Sequence, residues 1–319
     1  MSVPRLLQTF IPSPESVAAE ALAGLQAPQP QASPKWLYDA LGARLFEAIT
    51  ELPEYLPTRT EAALFDRHGE EIAAAVSALL GARPVVVEPG AGSCRKAERL
   101  LHLLRPARYL AIDISIDFLA EALGRLQPAW PDVVLEGLGL DFTAGLTLPA
   151  GWSAPGSLLF YPGSSISNFD PPAALRLLQD FRRAADGGAL LIGVDLVKPR
   201  DVLERAYDDL LGVTAAFNLN VLRHLNRVAG TDFDVRQWQH RAVWQAGLSR
   251  IEMHLVARED LCVCWPGGQR TFQAGQHVHT ENSYKWRVDD FRALLRDAGY
   301  AEVRDWTDAA GGFALLLAR

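Results

Sequence analysis

Val85-Val86-Val87-Glu88-Pro89-Gly90-Ala91-Gly92-Ser93-Cys94-Arg95-Lys96 is the stretch that decides the fold. A β-branched run ends in an acid, two glycines follow, and a helical pattern runs from Lys96 to Leu104. Glycine has no Cβ, so its backbone turns tightly and admits a ligand close to the chain. Strand, glycine turn and helix in that order make a βα unit of a parallel sheet. Two kinds of cofactor site use such a turn. A dinucleotide fold needs Gly-x-Gly-x-x-Gly to seat a pyrophosphate at the helix N-terminus. Arg95 stands at the third glycine position and breaks that fingerprint. S-adenosylmethionine has no phosphate. It needs room beside the turn, an acid for the ribose hydroxyls, and groups that read the adenine.

The same alternation continues downstream. Tyr109 to Asp113 is a second apolar run ending in an acid, Ile116 to Leu126 a helix, and Val133 to Leu135 a strand before Asp141-Phe142. Leu158 to Tyr161, helix Pro171 to Ala185 and strand Ala189 to Asp195 follow. After Lys198 the pattern changes. Asp201 to Asn226 reads as helix, and Trp238 to Ala257, Leu261 to Trp265 and Thr271 to Glu281 as antiparallel strands. Helix Val288 to Ala298 and two strands, Glu302 to Thr307 and Gly312 to Ala318, close the chain. A helix and a terminal strand pair after five βα units is the closing pattern of a class I methyltransferase. Upstream, Pro14 to Leu25 and Trp36 to Thr50 read as helices, Leu52 to Arg59 as a stiff two-proline loop, and Thr60 to Leu80 as helix.

The expected fold is therefore α/β, a Rossmann-like class I methyltransferase domain with a second, smaller α+β substrate-binding domain. Residues 1–60 are expected to contribute helices to the smaller domain and 61–198 to form the Rossmann-like part. Residues 199–286 are an insertion completing the smaller domain, and 287–319 return to the sheet.

Composition narrows the function classes. A formal charge of -7 and the lack of a basic tract argue against nucleic acid and against a polybasic membrane anchor. No apolar run is long enough to span a bilayer, and residues 1–31 lack the apolar core of a signal peptide. A cytoplasmic location and a monomer are the expectations. Three cysteines, Cys94, Cys262 and Cys264, do not make a disulfide framework and are read as small buried hydrophobes. His277 and His279 share a strand face without an evident third ligand, so no metal is expected.

Within the Rossmann-like part, Asp113 is placed to accept both ribose hydroxyls, because a carboxylate offers two acceptor oxygens. Asp141-Phe142 offers an acceptor for the adenine amine and an apolar wall. Lys96 is placed to pair with the carboxylate of the cofactor's methionine moiety or with Glu88.

Further segments carry a resemblance. Tyr38-Asp39, Leu52-Pro53-Glu54-Tyr55, Pro57-Thr58-Arg59, Gly163-Ser164-Ser165-Ile166-Ser167-Asn168, Asp195-Leu196-Val197-Lys198 and Ala206-Tyr207-Asp208-Asp209 occur in order. Gly212 to Asn218, Asp232-Phe233-Asp234, Arg250-Ile251-Glu252-Met253 and Phe313 complete the set. From about Trp36 to the C-terminus the chain resembles the L-histidine Nα-methyltransferases of ergothioneine biosynthesis. The resemblance implies S-adenosylmethionine as cofactor, L-histidine as substrate, and three methyl transfers to the α-amino nitrogen, giving hercynine. It implies that Tyr38, Gly90, Lys96, Asp113, Asp141 and Phe142 hold the cofactor, with Phe46, Glu88 and Gly92 grouped beside them. It implies that Asn168 and Tyr207 bind the amino and carboxylate groups, with Gly163 and Thr214 next to them, and that Tyr55, Met253, Glu281 and Ser283 surround the imidazole. Tyr38 and Asn168 are the candidate catalytic residues. An ionised carboxylate at Glu281 only accepts, which suits an imidazole N–H.

Some positions depart from that family's pattern: Leu56, Pro89, Ser93, Pro162 and Asn282-Ser283-Tyr284. The rival readings are methylation of another amine such as tryptophan, a non-catalytic cofactor-binding subunit, and a dinucleotide oxidoreductase.

Overall fold

In a computed structural model, which describes residues 3–152 and 154–319, thirteen strands and nine α-helices are seen among the described residues. In chain order they are β1 (Arg5–Gln8), α1 (Pro14–Gln26), α2 (Ala40–Thr50), α3 (Leu56–Leu80), β2 (Val85–Pro89), α4 (Arg95–Leu104), β3 (Arg108–Asp113), α5 (Ile116–Leu126), β4 (Val134–Gly139) and β5 (Leu158–Tyr161). There follow α6 (Pro171–Ala185), β6 (Ala189–Asp195), α7 (Arg200–Tyr207), α8 (Val213–Ala229), β7 (Trp238–Gln245), β8 (Arg250–Ala257), β9 (Leu261–Trp265), β10 (Gly268–Phe272), β11 (His277–Tyr284), α9 (Val288–Asp297), β12 (Val303–Thr307) and β13 (Phe313–Ala318). The chain divides into two units. One comprises Met1–Ile11, Thr60–Leu196 and Trp286–Arg319, the other Pro12–Arg59 and Val197–Lys285.

The first unit is built on one sheet in the order β1-β4-β3-β2-β5-β6-β13-β12, in which β13 runs antiparallel to both neighbours and the other pairings are parallel. Successive side chains of a strand point to opposite faces, and both faces here are apolar. Tyr109, Ala111, Leu135, Phe160 and Leu191 pack on one face with α3, α4 and α5. Leu110, Ile112, Leu138, Leu159 and Ile192 pack on the other with α6 and α9. The outcome is the Rossmann-like arrangement expected from the sequence, with the strand pair β12–β13 closing the sheet. Pro89 ends β2 without loss, because the N–H groups of Gly90 and Ala91 donate to the Ile112 carbonyl at 2.8 and 3.0 Å.

In the second unit β11-β8-β7 form an antiparallel sheet and β9-β10 a hairpin. Its core joins Leu25, Leu37, Ile49, Phe217, Leu222, Trp238, Leu255 and Val278. Asp39 caps α2, accepting from Gly42 N–H at 2.8 Å and from Asn220 and Arg227 at 2.7 and 2.9 Å.

Several local expectations give way. Arg5–Gln8 is a strand parallel to β4, so the first residues belong to the large sheet and not to the smaller domain assigned to 1–60. The two-proline loop is shorter than expected, since α3 starts at Leu56 and takes Pro57 into its first turn, where a missing N–H costs nothing. The helix expected from Asp201 to Asn226 is two, α7 and α8, broken at Gly212 with φ +75°. Asp209 accepts from the N–H groups of Val213 and Thr214 at 3.0 and 2.8 Å and restarts the helix. Of the cysteines, only Cys94 is buried; Cys262 and Cys264 are exposed, on the outward alternation of a two-stranded hairpin.

Candidate functional site

In the sheet unit the expected cofactor residues cluster at the carboxyl ends of the parallel strands. Gly90, Ala91 and Gly92 follow β2, and Gly90 and Gly92 have φ of +70° and +52°. The Gly92 N–H donates to Asp113 Oδ2 at 3.0 Å, and the Ser115 N–H to Oδ1 at 3.2 Å. Asp113, the last residue of β3, is thereby held against the glycine turn. Burial raises its pKa, and the N–H groups of Ser115, Gly92 and Ile114 oppose that rise. A Cβ on Gly90 would lie 3.5 Å from the Phe142 ring, so the turn and the wall after β4 face each other across a narrow gap. Asp141 Oδ1 accepts from the Thr143 N–H at 3.0 Å and from its hydroxyl, which fixes the carboxylate beside Phe142.

Lys96 pairs with Glu61 at 3.3 Å, whereas the sequence pointed to Glu88 as its protein partner. Glu61 is buried on α3 and its Oε1 accepts the Gly163 N–H at 2.7 Å. One carboxylate therefore ties the glycine-loop helix to the loop after β5. Gly163 has φ +77°, and a Cβ there would stand 2.0 Å from Lys96 Nζ. Beyond it, Ser164 Oγ accepts the Asp195 N–H at 2.7 Å, and Asn168 ends a 3-10 turn over Ser165–Asn168.

Glu88 is only 2% exposed, and the Tyr109 hydroxyl donates to its Oε2. Burial pushes its carboxyl up to about 8, against the opposing pull of the Tyr109 bond and of Lys96. The folded chain then holds a proton that the unfolded chain releases as pH rises above the ordinary 4.5. Stability linked to this group is complete below that ordinary value and falls as pH rises through about 8. Glu88→Gln cannot ionise and is expected to melt near the wild type around pH ~5 but several degrees above it by pH ~8. Melting curves that stay parallel across that range would contradict the assignment.

In the second unit the expected residues form a line of rings. Tyr38 lies edge-on to Phe46 at 5.6 Å and to Phe217 at 5.5 Å between centroids. Phe46 reaches Tyr55 at 6.2 Å, and Tyr55 reaches Tyr207 at 6.3 Å. Tyr38 is 43% exposed, while Tyr55 and Tyr207 are buried. At the far end the Tyr207 hydroxyl and Ser283 Oγ are 2.7 Å apart. Glu281 and Ser283 alternate along β11, opposite Met253 and Ile251 of β8. Met253, Glu281 and Ser283 are all buried. Thr214 is buried on the first turn of α8, where its N–H anchors Asp209. Burial works to raise the Asp209 carboxyl, yet the Thr214 and Val213 N–H groups hold it below the usual range.

Glu61 and Lys285 fall outside the residues expected at the site, and Phe217, within the Gly212 to Asn218 segment of the resemblance, carries no expected role. Lys285 continues the alternation of Glu281 and Ser283, a signal that was available. Glu61 meets Gly163 across 102 residues of chain, and nothing local announces that contact. His254 joins His277 and His279, with ring centroids 4.5 and 5.1 Å away. Burial and the two neighbouring imidazoles push His254 down to about 4. Among the described residues no group of three or more His, Cys, Asp or Glu side chains is arranged to hold a metal ion, and no helix is long and apolar enough to cross a membrane.

Comparison with known proteins adds an independent finding. A sequence profile described as histidine-specific methyltransferase, SAM-dependent, matches residues 17–319. The chain is 38% identical over 314 residues to the histidine N-alpha-methyltransferase of Mycolicibacterium smegmatis, covering 94% of this chain and 95% of that one. It is 39% identical over 308 residues to the histidine N-alpha-methyltransferase of Mycobacterium tuberculosis, covering 94% and 93%. Against the N-methyltransferase fsqC of Aspergillus fumigatus, identity is 32% over 305 residues, covering 91% and 80%.

Proposed function

The chain belongs to the histidine-specific, S-adenosylmethionine-dependent methyltransferases, and from that premise we propose how its residues divide the work. The protein is an N-methyltransferase that uses S-adenosylmethionine and methylates histidine. In our reading it adds three methyl groups to the α-amino nitrogen and releases hercynine.

The cofactor residues proposed are Gly90, Gly92, Lys96, Asp113, Asp141 and Phe142, with Glu88, Tyr38 and Phe46. Three observations support a fit. The Gly90 turn has no Cβ to fill the gap to Phe142. Asp113 is anchored by two N–H groups, so its orientation is set in advance. Lys96 is a cation poised at the start of α4. When bound, S-adenosylmethionine supplies a sulfonium methyl group open to attack by an amine.

The protein's own part is positioning. Asn168 has both donor and acceptor capacity and is proposed, with Tyr207, to orient the amino and carboxylate groups of histidine, Gly163 and Thr214 lying next to them in that role. Tyr55, Met253, Glu281 and Ser283 are proposed to hold the imidazole. The amine reacts as its neutral form, so the proton lost between transfers is proposed to pass to water, directly or through the hydroxyl of the half-exposed Tyr38, which releases its own proton to water as it accepts one. Fixing two reactants in line removes most of the entropic part of a displacement barrier. The observation that supports the substrate assignment best is Glu281, a carboxylate only 7% exposed, two residues from Ser283 on one strand. The working form proposed is a cytoplasmic monomer.

The test is a mass-spectrometric assay with S-adenosylmethionine, all twenty amino acids and histamine. Histidine alone is expected to gain the mass of three methylene groups. Methylation of a different amine, with histidine unchanged, would remove the substrate assignment while leaving the cofactor reading in place.

A further inference from the structure

His277, His279, Glu281 and Ser283 are alternate residues of β11, and a regular strand would send all four side chains to one face. They divide between two faces. His277 and His279 stand opposite Val256 and His254 of β8, whereas Glu281 and Ser283 stand opposite Met253 and Ile251. The pairing slips by one residue between His279 and Glu281, so Thr280 is an extra residue, a β-bulge in β11. Ile251, Met253 and Leu255 belong to the core that also holds Tyr55, Tyr207 and Phe217. Val278 meets Leu255 on that face before the bulge, and Glu281 and Ser283 take the same face after it. Tyr284 turns to the other face, where Arg250 donates to its hydroxyl at 2.6 Å. With regular pairing, Thr280 and Asn282 would occupy the core face, and Glu281 and Ser283 would turn away from it.

Hydrogen bonds on both sides hold the slip in place. Thr280 is 1% exposed, and its hydroxyl donates to the Met253 carbonyl at 3.0 Å, the carbonyl of the residue opposite Glu281. A bulge interrupts the backbone ladder at the extra residue, and this side-chain bond ties that residue to β8. His279 Nε2 lies 3.0 Å from the Glu281 carbonyl, which only accepts, so the ring N–H donates across the bulge. On the opposite edge of β11 the His279 N–H donates to the Pro30 carbonyl at 2.9 Å, and its own carbonyl accepts the Ala32 N–H at 2.8 Å.

We propose that Thr280 is a positioning residue for substrate recognition, a role that rests on the histidine reading above. Its hydroxyl keeps the bulge closed on Met253 and so keeps Glu281 and Ser283 turned toward the place of the imidazole. Thr280 acts through the backbone and touches neither substrate nor cofactor. A slip of one residue exchanges the two faces of a strand, so loosening at Thr280 reaches Glu281 as a change of direction. Hydrogen bonds weaken steeply with misalignment, and the loss falls on the bond from the imidazole to Glu281.

The experiment is a double-mutant cycle of Thr280→Val and Glu281→Ala. It is read by calorimetric titration of L-histidine into protein saturated with S-adenosylhomocysteine. Valine keeps the shape and β-branching of threonine and removes the hydroxyl. Thr280→Val alone is expected to weaken histidine binding about tenfold, with S-adenosylhomocysteine affinity within about threefold of wild type. In the Glu281→Ala background the same change is expected to cost less than about threefold, because the carboxylate it aims is gone. A merely structural role would weaken binding equally in both backgrounds, and that outcome overturns the proposal, as does an unchanged affinity in Thr280→Val. Thr280→Ser keeps the hydroxyl and is expected within about threefold of wild type; a loss as large as valine's overturns the proposal too. If the valine variant fails to bind S-adenosylhomocysteine, Thr280→Ala takes its place in the cycle with the same expectation. Failure of the histidine reading is visible separately: Glu281→Ala would bind histidine as tightly as the wild type, which overturns both.

Discussion

Replacement of Glu281 by alanine is expected to raise the KM for histidine by about 10- to 100-fold while the affinity for S-adenosylmethionine stays within about threefold of wild type. A carboxylate held at 7% exposure on β11, directly across from Met253 on β8, has been taken out of water. On the proposed reading it accepts an imidazole N–H, and a hydrogen bond to a charged group contributes about 1.5–3 kcal/mol. Discrimination follows from the same contact, because an amino acid without an N–H at that place forfeits the charge-assisted hydrogen bond. Glu281→Ala is therefore also expected to relax the choice of substrate toward apolar side chains. Steady-state kinetics with histidine, phenylalanine and leucine, beside cofactor titration, checks both parts. Equal losses for histidine and cofactor would remove Glu281 from the imidazole site.

Asp113→Ala is expected to weaken cofactor binding by about 100-fold or more, with Asp113→Asn falling between it and the wild type. Two effects add. The carboxylate is proposed to accept both ribose hydroxyls, and the same two oxygens receive the N–H groups of Gly92 and Ser115 at 3.0 and 3.2 Å. Alanine removes the ligand contacts and also releases the glycine turn that lies beside Phe142. Asparagine keeps one acceptor oxygen and so retains part of both. Isothermal titration with S-adenosylhomocysteine reads the effect directly, and an affinity for either variant within about threefold of wild type would show that Asp113 is not the ribose acid.

Much of the fold was legible in advance. Runs such as Val85 to Glu88, Tyr109 to Asp113 and Leu158 to Tyr161 are short, apolar and β-branched or aromatic, and helical patterns separate them. A strand covered by helices on both faces has to read that way. The elements that were missed divide into one decided by a distant partner and two decided by a local turn or cap. Arg5-Leu6-Leu7-Gln8 carries too little pattern to announce a strand and becomes one by pairing with β4, more than a hundred residues on. The break between α7 and α8 was hidden in a sequence that is otherwise helical, and it depends on Gly212 and on Asp209 as a cap. Leu56 and Pro57 look like loop because proline usually ends helices, and here the proline sits in a first turn.

The functional residues divide along the same line. By itself the sequence determined the alternation of strands and helices from Val85 to Asp195, the glycine turn, the acids at the ends of β2 and β3, and the family resemblance that pointed to Tyr38, Asn168, Tyr207 and Glu281. These are local patterns, because backbone geometry, periodicity and motif spacing are local properties. Only the tertiary structure decided that Lys96 pairs with Glu61, that Glu61 in turn holds the Gly163 N–H, and that Lys285 binds both Tyr207 and Ser283. A charged side chain is buried only where folding brings it a partner, and that partner is chosen by proximity in space, which no stretch of sequence records.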